Sequence, residues 1–121
     1  MVKIMVVDDE KDIREMIELM MQKEGFETEV AENGDDFLKK IDKFKPDLVT
    51  LDVMMPGPRT KDILVRLNDK ESNPKIILLS VIRFSEEEKQ NILGKSNVVD
   101  YVTKPFDVED LSSTIKRHLD R

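Results

Sequence analysis

Polar side chains that could bind a ligand or take part in a reaction follow four short apolar segments of this 121-residue chain. Asp8 and Asp9 follow KIMVV, Asp52 follows DLVTL, Ser80 follows KIILL, and Lys104 follows VVDYVT. If these segments are parallel strands of one sheet, their carboxyl ends lie at the same edge. Three carboxylates, a hydroxyl and an ammonium then converge where open α/β sheets bind their ligands.

The three carboxylates favour a cation site. Taken alone, the Asp8–Asp9 pair is more typical of a helix N-cap with an acidic neighbour. Asp52 follows a buried strand directly and has no adjacent helix start to cap. Crowded carboxylates repel one another unless a cation compensates them. Hard oxygen ligands with open positions suit Mg²⁺, which keeps several waters and also bridges to phosphate oxygens.

The other polar groups at this edge each have two interpretations. Lys104 is either a structural salt-bridge partner or a counter-charge for a phosphate, and Pro105 after it favours a constrained geometry, for which a cis bond is one option. Ser80 is either a hydrogen-bonding group at a strand end or a ligand for a phosphoryl oxygen. Tyr101, the only tyrosine, either packs in the core or has an amphipathic ring that moves between buried and exposed positions.

The elements that must position these groups are predicted from hydrophobic periodicity. Continuous apolar runs are typical of strands buried on both faces of a parallel sheet, and amphipathic stretches between them predict helices. The chain is therefore an α/β protein with five strands and five helices in strict alternation. The strands are expected near residues 4–7, 28–31, 48–51, 76–79 and 98–102. The helices are expected around the apolar positions 13–20, 37–44 and 63–67, over 85–93 and over 108–119.

Length and composition limit the possibilities further. A chain of 121 residues predicts one domain, 1–121, with no output domain. It contains no cysteine, no membrane-spanning apolar run and no signal-peptide pattern, which fits a cytoplasmic protein. A net charge of −6 without a basic stripe argues against direct binding of nucleic acid.

Four segments together closely resemble the receiver domain of two-component response regulators: VVDDE (6–10), LDVMMP (51–56), LLS (78–80) and DYVTKPF (100–106). The resemblance covers essentially the whole chain. It implies a (βα)5 flavodoxin-like three-layer sandwich whose five-stranded parallel sheet has the order 2-1-3-4-5.

The resemblance also implies roles for the residues at the strand ends. Asp52 would accept a phosphoryl group from a histidine kinase. Mg²⁺ would be bound directly by Asp9, by Asp52 and by the backbone carbonyl of Met54, with Asp8 acting through water. Lys104 and the metal would offset charge on the transferring phosphoryl group.

A signalling role follows from the same resemblance. Ser80 would move to bond the phosphoryl oxygen, and Tyr101 would swing inward. The face made by the fourth helix, fifth strand and fifth helix would then change for a partner. The implied partners are a sensor histidine kinase or phosphotransfer protein and an unknown downstream protein, with the chain a monomer or a phosphorylation-dependent dimer. The chain would catalyse its own phosphorylation and dephosphorylation without turning over an external substrate.

Three stretches of the chain depart from the usual pattern of the family. Arg59 and Thr60 stand where Asp and Gly are common, Val81 replaces a small residue after Ser80, and residues 97–99 replace the usual Gly-Ala-Asp. The residues needed for phosphorylation are all present. Because of these departures, however, we expect the output surface to differ from that of other family members.

Two other function classes fit the sequence less well. A Mg²⁺-dependent phosphatase with an aspartyl nucleophile typically has a second aspartate two residues after the nucleophile, and here that position is Met54. A pseudo-receiver that only binds partners would have lost the acceptor, the acidic pair or the lysine, and the chain retains all of them.

Overall fold

The computed structural model describes residues 2–53, 60–68, 74–81, 85–87, 90 and 97–119. Within these ranges the chain forms five strands and four assigned helices, which alternate as predicted up to β4. In chain order they are β1 (Lys3–Val7), α1 (Lys11–Lys23), β2 (Glu27–Ala31), α2 (Gly34–Phe44), β3 (Leu48–Asp52), α3 (Thr60–Asn68), β4 (Lys75–Ser80), β5 (Val98–Thr103) and α4 (Val108–Leu119).

The five strands form one parallel sheet in the order β2-β1-β3-β4-β5, which confirms the expected topology. Val7 at the end of β1 lies opposite Leu51, and Asp52 at the end of β3 lies opposite Leu79. Ser80 lies opposite Thr103 at the far side of β4. The strand ends are therefore in register, and the residues that follow them meet at one edge.

Successive strand residues alternate between two apolar cores, so the molecule has the expected three layers. The core on the α2 and α3 side includes Met5, Val7, Phe37, Val49, Leu51, Ile63 and Leu78. The core on the α1 and α4 side includes Ile4, Val6, Ile17, Leu48, Ile77, Leu111 and Ile115. Because both faces are covered, the central strands consist of continuous apolar runs.

Local signals end and begin the helices where the sequence placed them. Gly25 follows α1 with φ of 90°, a left-handed conformation that glycine adopts without steric cost. The Asn33 side chain accepts a hydrogen bond of 2.8 Å from the Asp36 backbone N–H at the start of α2. Asp107 likewise accepts one of 2.9 Å from the Glu109 N–H at the start of α4.

Part of the predicted helix at 85–93 lies outside the described residues, although residues 86, 87 and 90 are helical. The loop 56–58 and Arg59 also lie outside them. No helix in the described part of the chain is long and apolar enough to cross a membrane.

Candidate functional site

Four polar residues are buried where the strands end, and they are the ones that the sequence places there. Asp8 and Ser80 are fully buried, Asp52 is 2% exposed, and Lys104 is 9% exposed. Backbone hydrogen bonds extend the ladders past the strand ends and fix these positions. The Val53 N–H donates to the Leu79 carbonyl at 3.0 Å, and the Lys104 N–H donates to the Ser80 carbonyl at 2.7 Å.

Lys104 bridges the two buried aspartates. Its Nζ lies 2.9 Å from Asp8 Oδ2 and 3.5 Å from Asp52 Oδ2. Burial by itself lowers the pKa of Lys104. The hydrogen bond to Asp8 and the negative charges of Asp8, Asp52 and Glu10 outweigh burial, so the pKa of Lys104 is raised above its ordinary value. The ammonium is therefore held in its charged form between the carboxylates.

The Asp8 carboxylate is held through both of its oxygens. Oδ1 accepts a 2.9 Å hydrogen bond from the Glu10 backbone N–H, and Oδ2 accepts the bond from Lys104. The N-cap interpretation of the acidic pair is wrong, because α1 begins at Lys11 with Glu10 as its N-cap residue. The Glu10 side chain makes no capping hydrogen bond. Asp8 instead belongs to the buried site.

The oxygens of this edge fit a small divalent cation. One carboxylate oxygen each from Asp8, Asp9 and Glu10 lies within 4.8 Å of the others. Asp9 is exposed, and within the described ranges its carboxylate has no ion-pair partner, so it is available as a direct ligand. Asp8 already has a donor on each oxygen, which suits a contact through water. Carboxylate oxygens with open positions are the donor set that Mg²⁺ prefers. Met54 lies outside the described residues.

Ser80 and Tyr101 lie on the neighbouring strands β4 and β5. Ser80 ends β4, and Tyr101 lies opposite Leu78, two residues before Ser80. Tyr101 is half-buried and packs against the core on the α2 and α3 side. The Lys104–Pro105 peptide bond is cis.

Three features were not predicted from the sequence. Arg14 in α1 donates a 2.8 Å hydrogen bond to the backbone carbonyl of Asp8. Asp100 in β5 binds two side chains of α4, Arg117 and His118. Thr50 has a buried hydroxyl that, in the described part of the chain, has no hydrogen-bond partner. The signal for Thr50 was a single polar residue within the apolar run of residues 48–51.

Fold and site together define a parallel α/β protein with an acidic, lysine-bridged pocket at its ligand-binding edge. Residues 4–116 match the family model of the response regulator receiver domain. The chain belongs to this family, which confirms the resemblance. Receiver domains are signalling switches of two-component systems that depend on phosphorylation. They bind Mg²⁺ at an acidic pocket and interact with histidine kinases or phosphotransfer proteins and with downstream targets.

Solved structures with the same fold support this assignment. The chemotaxis protein CheY4 of Vibrio cholerae is 31% identical, with 97% of this chain and 98% of that chain covered and a TM-score of 0.81. TrrA of Thermotoga maritima, solved in complex with Mg²⁺-BeF, is 36% identical, with 97% and 98% covered and a TM-score of 0.78. The receiver domain of the Francisella response regulator 1452 is 30% identical, with 97% and 95% covered and a TM-score of 0.83.

Proposed function

We propose that this chain is a switch that accepts a phosphoryl group on Asp52 from the phosphohistidine of a sensor histidine kinase or phosphotransfer protein. The observation that carries the proposal is the single ammonium of Lys104 held between the buried carboxylates of Asp8 and Asp52. Such an arrangement places a nucleophilic carboxylate beside a fixed positive charge, as phosphoryl transfer requires.

The transfer is a displacement at phosphorus. An Asp52 oxygen forms a bond to phosphorus as the bond from phosphorus to the histidine nitrogen breaks. The electron pair of that bond stays on the imidazole nitrogen, and the ring leaves as neutral imidazole when its other nitrogen carries a proton. Asp52 is 2% exposed, so little bulk water is in contact with its carboxylate to compete with it for the phosphorus atom.

Two positive charges would act on the transferring group. Asp9 and Asp52 would hold Mg²⁺, with Asp8 assisting through water and the Met54 carbonyl completing the protein ligands. When bound, the ion would offset negative charge on the phosphoryl oxygens. Lys104 would supply the second charge, since its Nζ lies 3.5 Å from Asp52 Oδ2. The Mg²⁺-BeF complex of TrrA supports a metal at this site.

Phosphorylation would change the partners of the buried groups. The acyl phosphate removes the Asp52 carboxylate that lies 3.5 Å from Lys104, and the ammonium would then bind a phosphoryl oxygen. Ser80 would donate its hydroxyl to another phosphoryl oxygen, and Tyr101 would move inward beside β4. The altered surface, made by the predicted helix at 85–93 together with β5 and α4, would control a downstream protein.

Labelling with a small phosphodonor tests the proposal. The protein is incubated with acetyl phosphate and Mg²⁺, and the adduct is located by mass spectrometry of peptides after borohydride reduction. We expect one phosphoryl group on Asp52 and no labelling in EDTA. A label on another residue, or equal labelling without the metal, would contradict the proposal.

A further inference from the structure

The acidic loop 8–10 is tied to α1 by a side chain that none of the roles above uses. Arg14 lies in the first turns of α1 and is half-buried. Its Nη1 donates a 2.8 Å hydrogen bond to the backbone carbonyl oxygen of Asp8. Hydrogen bonds from a charged donor are stronger than neutral ones. The contact therefore holds the loop more firmly than an ordinary turn bond does.

The carbonyl that Arg14 holds belongs to the peptide unit between Asp8 and Asp9. A peptide unit is planar, so fixing its oxygen also fixes the nitrogen and Cα of the next residue. This bond therefore restrains the backbone from which the Asp9 side chain projects. Asp9 itself is exposed and has no ion-pair partner in the described part of the chain, so we expect its backbone to be the main restraint on its position.

Other contacts fix the Asp8 side chain, whereas Arg14 binds the Asp8 peptide oxygen. The Glu10 N–H and Lys104 bind the two carboxylate oxygens of Asp8. The Arg14 backbone N–H donates to the Glu10 carbonyl at 2.9 Å, which begins the helix. Arg14 thus contacts the loop twice, through its main chain at Glu10 and through its guanidinium at Asp8.

We infer that Arg14 is a positioning residue for the metal site: its guanidinium orients the Asp8–Asp9 peptide so that the Asp9 carboxylate is preset to bind Mg²⁺. The inference rests on the proposed function, because it assigns Arg14 to the same site. Groups that orient metal ligands typically change metal affinity by about tenfold or more when they are removed.

The sign of the effect separates positioning from simple charge. Arg14 brings a positive charge close to a cation site, so removing that charge alone would strengthen Mg²⁺ binding. Removing a hydrogen bond that positions a metal ligand would instead weaken Mg²⁺ binding. Lys11 is the matched control, since it lies at the same end of α1, is well exposed and pairs only loosely with Glu15 at 3.9 Å.

The experiment measures Mg²⁺ dissociation constants by calorimetry for wild type, Arg14→Met, Lys11→Met and Asp9→Asn, with urea unfolding in EDTA for each. We expect Arg14→Met to weaken binding about tenfold, and Lys11→Met to leave it unchanged or slightly tighter. Should Arg14→Met fail to fold, Arg14→Lys, which shortens the reach and keeps the charge, is expected to weaken binding several-fold.

Labelling by acetyl phosphate adds a second readout. In Arg14→Met, excess Mg²⁺ should restore the wild-type rate, because Arg14 acts through metal binding and does not touch the reacting atoms. Unchanged or tighter Mg²⁺ binding in Arg14→Met, or a rate that stays low at saturating Mg²⁺, would overturn the inference. If wild type and Asp9→Asn bind Mg²⁺ equally poorly, the metal site in the proposed function is what fails.

Discussion

The flanks of β5 carry two ion-pair clusters of opposite design. At its carboxyl end, among the described residues, the buried pocket contains one cation, Lys104, between the carboxylates of Asp8 and Asp52. Nearer its start the α4 cluster contains one carboxylate, Asp100, whose Oδ2 lies 2.6 Å from Arg117 Nη2 and 2.9 Å from His118 Nε2. One cluster has an excess of negative charge, and the other does not.

Exposure decides what each cluster does. The Lys104 side chain is 7% exposed, whereas that of Arg117 is 66% exposed. Solvent screens the Asp100–Arg117 pair, so it holds α4 on the sheet at little energetic gain. The buried carboxylates depend on their single cation, because an uncompensated charge is costly in a dry environment. Under the proposed function the pocket responds to an added cation or phosphoryl group, whereas the α4 cluster only holds α4 on the sheet.

The largest expected difference is in phosphorylation. Asp52→Asn should abolish labelling by acetyl phosphate, because an amide cannot act as the carboxylate nucleophile. The same substitution in the α4 cluster, Asp100→Asn, should leave the rate within about twofold of wild type, because Asp100 does not touch the pocket. Labelling of Asp52→Asn at the wild-type rate, measured by intact-protein mass spectrometry, would reject Asp52 as acceptor.

The second difference is in stability. Lys104→Met leaves two buried carboxylates without a cation and should cost about 3 kcal/mol of unfolding free energy in EDTA. Arg117→Met should cost less than about 1 kcal/mol. Added Mg²⁺ should stabilise Lys104→Met more than wild type, since the metal replaces the missing charge. Urea unfolding with and without Mg²⁺ measures these values. Equal costs for the two substitutions would remove the distinction between the clusters.

The buried pocket could be predicted from the sequence because its geometry depends on the sheet. Continuous apolar runs predict central parallel strands, and parallel strands bring their carboxyl ends together. Asp52 and Lys104 therefore converge whatever the loops do. The burial of Asp8 was not predicted. Whether a residue caps a helix or lies in the buried site depends on where the helix begins, to within one or two residues.

The α4 cluster and the Arg14 contact could not be predicted, because the contacts of long side chains depend on how the helices and strands pack. Asp100, Arg117 and His118 are separated by a turn and most of a helix, and several acidic residues could equally have received the two cations. The register shift between Ile76 and Ile77 in the β4–β5 pairing also left no signal in the sequence. It affects which β5 residues face α4.

A third difference should appear at alkaline pH. The folded-state pKa of Lys104 is raised above its ordinary value of 10.5. Its contribution to stability is therefore fully present below pH 10.5 and is lost as the pH rises through the folded-state pKa. Arg117 stays charged throughout this range. The stability gap between wild type and Lys104→Met, measured by urea unfolding from pH 8 to about 12, should narrow at the alkaline end. A gap that widens there would contradict the assignment.

The smallest expected effect is the coupling within the α4 cluster. A double-mutant cycle with Asp100→Asn and Arg117→Met should give a coupling energy below about 1 kcal/mol, because the exposed guanidinium is screened and loses side-chain freedom in the pair. About 1 M salt should remove most of this coupling, since the screening length then falls to about 3 Å. The buried Asp8–Lys104 pair, measured with Asp8→Asn and Lys104→Met, should keep most of its coupling under the same conditions. If the coupling of the exposed pair matches that of the buried pair and resists salt, α4 is anchored by Asp100 as strongly as the pocket is by Lys104. Exposure would then not be what separates the two clusters.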